Sequence, residues 1–265
     1  MPERNAKMPS DTVMTTPNGE TLVFNERFHS YKLSGKLCTS VTKFVDRFFT
    51  PFDSERVSKE TAERRGCTQK EILDEWKYIR VRGTHIHETC EDILNERAEF
   101  RFKPDGDTER AFFECAKDTA AKVKEKLKTY QSEMAMADTM YNLAGTTDLV
   151  GVFNNPQEDG STHLILDWKT NGKLSQDAFG GKTGFGPCAN IPDANWWHYA
   201  LQLATYEDIL KRNEYVAPDT KFKRVLVHFW MNPIDKVVKP KYYVTPDLHD
   251  CVEAMLRSDI WKTPA

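Results

Sequence analysis

The sequence predicts an α+β (α/β) fold in which an N-terminal helical region precedes a mixed central sheet flanked by helices. Three observations support this fold class. Residues 40–130 carry apolar side chains mainly at helical spacing. Residues 134–170 contain three strand-like runs separated by turn signals. A helical segment and two further strand-like runs follow, so the elements alternate as they do in a layered domain.

The N-terminal elements are predicted from turn and capping signals. Two short β-like runs around Asn25-Glu26 indicate a hairpin. Ser40 is placed as the N-cap of a helix over residues 40–49. Thr68 and Glu71 have the spacing of a capping box, which opens a helix running to residue 79. Further helices are expected from about residue 87 to 98 and over residues 109–130.

The later elements are predicted from hydrophobic runs and their breakers. Asn154 to Gly160 is a strong turn signal between two strands, and Pro240 marks an edge strand. The stretch from 171 to 193 is rich in Gly, Pro and polar residues, and loops of that length are usually functional or disordered. The predicted elements are strands over 134–141, 143–153, 164–170, 224–230 and 239–244, with helices over 194–213 and 246–258.

The domain organisation follows from the same signals. With 265 residues the chain can bury a sizeable core. We expect residues 1–20 to be a flexible polar lead and residues 21–265 to form a single domain. Within that domain, residues 21–130 would be a hairpin and helical part, and residues 131–258 the core that carries the candidate site.

Composition excludes several classes of protein. The net charge of −3 argues against a protein that coats nucleic acid, although a local basic groove can still follow phosphates. No apolar run is long enough to cross a bilayer, and the N-terminus lacks a signal-peptide pattern. The six cysteines are scattered without a C-x-x-C pair, which favours reduced thiols in a soluble intracellular protein over disulfides, a zinc site or an iron–sulfur cluster.

Two acids and a lysine on neighbouring strands suggest chemistry. Asp167 and Lys169 point to the same side of their strand, and Trp168 points to the other. Asp148 supplies a second carboxylate from the adjacent predicted strand. A carboxylate and an ammonium group are costly to bury together unless they have a function. An acid, followed by acid-x-lysine on the next strand, is the minimum set for metal-assisted cleavage of a phosphodiester.

The donor types indicate a magnesium or manganese ion. Hard carboxylate oxygens such as those of Asp148 and Asp167 suit Mg²⁺, and the carbonyl of Trp168 would lie close by. An added imidazole, from His87, makes Mn²⁺ at least as acceptable. Lys169 is placed to orient the attacking water or to stabilise charge that builds on the phosphate. The sequence leaves open whether Lys169 is also a general base.

Each of these residues also has a purely structural interpretation. D-x-K triplets occur by chance, and a histidine on an amphipathic helix is more often structural than a ligand. Glu91 lies one helical turn after His87 and could neutralise a neighbouring lysine. Gln202 and Tyr206, which are also four residues apart, could simply cover the inner face of a helix. What favours the functional interpretation is that four groups follow one another along one chain: His87 with Glu91, then Asp148, then Asp167 with Lys169, and last Gln202 with Tyr206.

Taken together, the motifs resemble the PD-(D/E)XK nuclease superfamily, in its RecB-like exonuclease branch. The branch members most similar are of the mitochondrial genome-maintenance exonuclease type and its phage and viral relatives. The resemblance covers about residues 31–256. It is carried by Ser40-Val-Thr-Lys-Phe-Val, Arg82-Gly-Thr-His-Ile-His87-x3-Glu91, Ala144-Gly-Thr-Thr-Asp148-Leu-Val, Leu166-Asp167-Trp-Lys169-Thr and Ile191-Pro-Asp-Ala-Asn195-x3-Tyr199-x-Leu-Gln202-Leu-x2-Tyr206.

The resemblance implies roles for the matched residues. His87, Asp148 and Asp167 would be ligands of Mg²⁺ or Mn²⁺, and Lys169 would be catalytic. Glu91 would be an accessory acid. Gln202 and Tyr206 would organise the site or contact DNA. The implied fold is a four-stranded mixed sheet flanked by helices, and the implied activity is cleavage of DNA, often at single-stranded ends.

Several interpretations of function therefore remain. The leading one is a metal-dependent DNA exonuclease in replication, recombination or repair. The predicted helices over 40–49 and 69–79 could form an arch over the site, and the 171–193 loop, with Lys173 and Lys182, could line a channel for the strand. A helicase, recombinase or single-strand-binding protein would be a separate partner, since no G-x-x-x-x-G-K-[ST] motif is present. The alternatives are a structure-specific endonuclease, an RNA nuclease, a nucleic-acid-binding accessory without turnover, and a generic soluble α/β protein.

Overall fold

The computed structural model describes residues 11–25 and 27–262 and shows a mixed α/β fold. Its strands are β1 (Asp11–Thr15), β2 (Thr21–Asn25), β3 (Ser30–Leu33), β4 (Lys36–Leu37), β5 (Thr39–Ser40), β6 (Leu127–Asp138), β7 (Leu143–Phe153), β8 (His163–Lys169), β9 (Phe222–Met231) and β10 (Val238–Val244). Its helices are α1 (Val41–Asp46), α2 (Ser54–Arg65), α3 (Gln69–Leu94), α4 (Asp107–Lys124), α5 (Asn195–Arg212) and α6 (His249–Arg257). None of the helices in these ranges combines the length and the apolar character needed to cross a lipid bilayer.

The central sheet is mixed, as the sequence predicts. Its strand order is β10–β9–β8–β7–β5, and β6 pairs with β7. Strands β6, β7 and β8 form an antiparallel meander, β9 runs parallel to β8, and β10 is an antiparallel edge strand. Helix α5 lies between β8 and β9 in the chain, because a parallel pair needs a long crossover connection.

Helices cover both faces of the sheet. On one face, α1, α5 and α6 pack around Phe44, Leu203 and Met255. On the other face, α3 and α4 pack through Ile86 and Phe112 against alternate residues of β8 and β9. The helices flanking the sheet therefore agree with the predicted arrangement. Helix α1, one of the two segments suggested for an arch, packs into the core on the same face as α5.

A second, smaller sheet holds the beginning of the described chain. Strands β1 to β4 form an antiparallel sheet in sequence order, which includes the predicted hairpin around Asn25. The expectation of a flexible lead over residues 1–20 is wrong from Asp11 onward, because Asp11–Thr15 pairs with β2 along its whole length. The part of that lead before Asp11 lies outside the described residues.

The helical region differs from the prediction in three places. The two helices expected around residues 69–79 and 87–98 are one continuous helix, α3, opened by the predicted capping box at Thr68. Helix α4 ends at Lys124, and β6 begins at Leu127, so the predicted helix extends too far. Helix α2 was not predicted, because its buried face consists of small residues such as Ser58 and Ala62 and lacks an apolar stripe.

Candidate metal centre

Strands β7 and β8 separate next to the two acids predicted for the site. The last paired residues at this end are Leu149 and Leu166. Asp148 precedes Leu149 and Asp167 follows Leu166, so the two acids lie opposite each other just beyond the last pair. Oδ2 of Asp148 accepts a 2.6 Å hydrogen bond from the backbone N–H of Trp168. The acids therefore lie side by side where the strands diverge, as the sequence predicts.

Helix α3 brings an imidazole to the same point. Nδ1 of His87 lies 3.2 Å from Oδ1 of Asp148. Burial alone would lower the pKa of His87, but the Asp148 carboxylate outweighs it and raises that pKa to about 9. The helix can come this close because Gly83, one turn before His87, has no side chain: a Cβ there would lie 3.0 Å from Oγ1 of Thr170.

A further ligand-type residue, Glu133, was missed by the sequence analysis. Ser132 pairs with Leu149 and Met134 pairs with Thr147, so Glu133 is level with Asp148 on the neighbouring strand. One ligand atom each from His87, Glu133 and Asp148 lies within 4.8 Å of the others. The backbone of Glu133 has φ 46°, a left-handed conformation that is uncommon for a residue with a side chain.

The charge of this cluster is unbalanced. Glu133 keeps part of its surface in solvent, but desolvation of its carboxylate, and then the negative charge of Asp148, raise its pKa to about 8. The Asp148 carboxyl itself is desolvated, but the His87 and Lys169 charges hold its pKa below the usual value. Two acids and one imidazole in this space therefore favour any added positive charge, whether a proton or a cation.

Asp167 and Lys169 form a buried ion pair beside the cluster. Lys169 Nζ contacts Oδ2 of Asp167, and both side chains are shielded from solvent. Desolvation raises the pKa of Asp167 to about 6 despite the nearby ammonium group. For Lys169, burial would lower the pKa, but Asp167, Tyr199 and Asp148 together raise it above the usual value. Lys169 is therefore protonated at neutral pH.

The lysine is also held by an aromatic ring that the sequence analysis did not single out. Nζ of Lys169 lies 4.0 Å from the ring centroid of Tyr199 on α5. The Tyr199 hydroxyl is 3.1 Å from Nδ2 of Asn171, and the Asn171 carbonyl oxygen is 2.6 Å from Nε2 of His228. Tyr199 appears in the motif that carries Gln202, but only the fold shows that its ring lies over the lysine.

Gln202 and Tyr206 connect α5 to its neighbours. Nε2 of Gln202 donates to the Tyr206 hydroxyl at 3.0 Å and to Oγ1 of Thr42 at 3.1 Å. The Tyr206 ring lies on Gly145 of β7, where a Cβ would be 2.6 Å from Cε1 of the ring. Burial, above all, raises the pKa of the Tyr206 hydroxyl well above its usual value. Tyr206 thus lies between α5 and the sheet, and Gln202 links it to α1.

Glu91 and the backbone of Trp168, but not the Trp168 side chain, lie beside the cluster. Glu91 is bound by Arg101 at 2.5 Å and lies 3.5 Å from Arg97, so its carboxylate is engaged in an ionic network. Its charge also contributes to the raised pKa of Glu133. The Trp168 side chain is buried on the far side of β8 and packs near Phe229, as strand alternation predicts.

The two lysines predicted to bind substrate lie in the long loop between β8 and α5. Lys173 and Lys182 are both exposed. Asn195 at the start of α5 fixes the loop: its Oδ1 accepts from the Ser175 N–H at 2.9 Å, and its Nδ2 donates to the Lys173 carbonyl at 2.9 Å. A cavity of about 200 Å³ lies between α1 and α5, and its lining includes Asn195 and Gln202. A larger one, of about 620 Å³, contains none of the cluster residues.

The donor set fits a hard divalent cation. One imidazole nitrogen and two carboxylates, from His87, Glu133 and Asp148, match the ligand preferences of Mn²⁺ and Mg²⁺. Glu133, whose pKa is raised to about 8, would have to lose its proton to act as a ligand. Comparison of the chain with models of known families gave no match, and no curated protein matched it either.

Proposed function

We propose that the protein is a metal-dependent DNA exonuclease that hydrolyses phosphodiester bonds, acting on single strands or DNA ends. The observation that carries the proposal is the convergence of His87, Asp148, Asp167 and Lys169 where β7 and β8 diverge. A chance D-x-K triplet would not be expected to meet an imidazole from a distant helix and a further acid, Glu133.

The topology supports a PD-(D/E)XK core. Strands β6, β7, β8 and β9 form a mixed four-stranded unit, with α5 as the crossover between the parallel strands β8 and β9. The two acids lie on the central strands of this unit. Fold alone does not fix an activity, so the proposal depends on the site.

The residues have distinct roles in the proposed reaction. His87, Glu133 and Asp148 would hold Mg²⁺ or Mn²⁺, with Asp167 beside them. A bound ion of this kind neutralises phosphate charge and lowers the pKa of a water. Lys169, protonated and fixed between Asp167 and the Tyr199 ring, would stabilise the negative charge that builds on the phosphate. Its raised pKa favours this electrostatic role over that of a general base.

Other residues would act around the reacting atoms. Gln202 and Tyr206 would position α5, which carries Tyr199, and Gln202 also faces the nearby cavity. Glu91 would act through the ionic network at the end of α3. Lys173 and Lys182, on the exposed loop, would contact the phosphates of the approaching strand.

A substrate panel tests the proposal and separates it from its alternatives. Linear single-stranded DNA, circular single-stranded DNA, flapped duplex and RNA of one sequence are incubated with the protein and Mg²⁺ or Mn²⁺. The proposal predicts shortening of linear DNA and survival of circular DNA. Equal cleavage of circular and linear DNA would indicate an endonuclease, and preferred cleavage of RNA an RNA nuclease. Tight binding without cleavage in Mn²⁺ would indicate a binding protein.

A further inference from the structure

One face of α3 continues from the metal cluster past the end of the central sheet. Trp76, Arg80, Gly83 and His87 follow one another at spacings of four, three and four residues, which places them on the same side of the helix. Gly83 approaches Thr170, directly after β8. The face therefore meets the sheet at Gly83 and His87. Trp76 lies about 16 Å before His87 along the helix axis, at 1.5 Å per residue.

An exposed aromatic pair stands at the outer end of this face. The rings of Phe52 and Trp76 have centroids 5.8 Å apart and planes inclined by 52°. The Phe52 side chain, just before α2, is 70% exposed, and Trp76 is partly exposed. Two large rings at a helical surface are more than packing requires, and such groups commonly mark a binding surface.

A free cation lies between the aromatic pair and the cluster. Arg80 is exposed and makes no side-chain hydrogen bond or ion pair with any residue in the described ranges. The two acids beside Trp76 are already neutralised. Asp74 lies 3.2 Å from Lys70, and Glu75 lies 2.7 Å from Arg65. The unpaired charge along this face is therefore positive.

We propose that Phe52, Trp76 and Arg80 bind single-stranded DNA a few nucleotides away from the metal cluster. The rings would stack on bases, and the guanidinium would pair with a phosphate. Stacking needs base faces that a duplex does not offer, so this surface would select single strands without selecting a sequence. The inference rests on the proposed function and deepens it by assigning the site that recognises the substrate class.

The test measures binding separately from cleavage. Anisotropy of a fluorescein-labelled oligothymidylate is recorded with Mg²⁺ and the Asp167→Asn protein, so that the probe is not cut. Adding Trp76→Ala or Phe52→Ala should raise Kd about tenfold, whereas Trp76→Phe, which keeps a ring, should restore most of the affinity. Arg80→Ala should weaken binding and reduce the slope of log Kd against log salt by about 0.7.

Lys128→Ala is the matched control for Arg80→Ala. Lys128 is an exposed cation at the start of β6, outside α3, and its loss should leave Kd unchanged. A Trp76→Ala protein that binds as tightly as the Lys128→Ala protein would overturn the inference. Failure of the proposed function would instead show as no cleavage of any substrate by the unsubstituted protein. Tighter binding of a duplex or of RNA than of single-stranded DNA would also overturn the assignment.

Discussion

Nδ1 of His87 lies 3.2 Å from Oδ1 of Asp148, so that a helix far from β7 in the sequence closes onto the point where the central strands separate. In this arrangement a proton on the imidazole holds the two candidate ligands together. A cation at the cluster would have to replace that proton, since only neutral imidazole binds a metal.

Metal binding should therefore strengthen as the pH rises. The folded-state pKa of His87 is raised to about 9 and that of Glu133 to about 8. The stability that the raised pKa of His87 contributes to the fold is fully present below the unfolded-state pKa and is lost as the pH rises through about 9. The corresponding contribution of Glu133 is lost as the pH rises through about 8. Both protons must leave when a metal binds. Thermal unfolding with and without Mg²⁺ should show a larger increase in Tm at pH 8.5 than at pH 6.5, and an equal increase would contradict this linkage.

Glu133 should be needed for metal binding, although no motif marks it. Glu133→Gln removes one of three clustered donors and should weaken Mn²⁺ binding at least about tenfold, measured by calorimetry. Glu158→Gln is the control, because Glu158 is exposed in the turn between β7 and β8. Equal Mn²⁺ affinity in the two variants would remove Glu133 from the site.

Lys169 should act in turnover and not in binding. Lys169→Ala should lower the single-turnover cleavage rate about 100-fold to 1000-fold while single-stranded DNA still binds. Tyr199→Leu, which removes the ring beneath Nζ, should have an intermediate effect, and Tyr199→Phe should have little. Lys223→Ala is the control, because Lys223 pairs with Asp159 away from the cluster. A near-normal rate for Lys169→Ala would show that the site is wrongly assigned.

The sequence predicts the residues of β7 and β8 well, because buried apolar strands interrupted by charged residues leave a clear pattern. Asp148, Asp167 and Lys169 lie together as that pattern indicates. Glu133 was missed because it falls between a helix predicted to end at residue 130 and a strand predicted to begin at residue 134, and only pairing with β7 shows that Glu133 is level with Asp148.

Other features depend on contacts that periodicity does not encode. The sequence predicts two helices where α3 is continuous, and the missing side chain of Gly83 lets this unbroken helix approach Thr170. Strand β1 has mostly exposed side chains, so its pairing with β2 leaves no apolar signal in the sequence. The cation–π contact between Lys169 and Tyr199 likewise requires α5 to lie beside the end of β8.

Gly145 should be required for the packing of α5 against β7. In Gly145→Ala the new Cβ would lie 2.6 Å from Cε1 of the buried Tyr206 ring, so the ring or helix must move. We expect a loss of about 1–3 kcal/mol in the free energy of unfolding, measured with urea. Gly172→Ala is the control, since nothing lies within 4 Å of a Cβ at that position. A stability change as small as that of the control would show that Tyr206 does not constrain β7.

The most direct test of the central claim is single-turnover cleavage of an end-labelled, single-stranded oligonucleotide by the unsubstituted protein and by Asp167→Asn, each with Mg²⁺, Mn²⁺ or EDTA. Asp159→Asn is the control, because Asp159 is exposed and pairs with Lys223 away from the cluster. The account predicts metal-dependent shortening by the unsubstituted protein and by Asp159→Asn, and none by Asp167→Asn or in EDTA. Undiminished cleavage by Asp167→Asn, or cleavage that persists in EDTA, would contradict it.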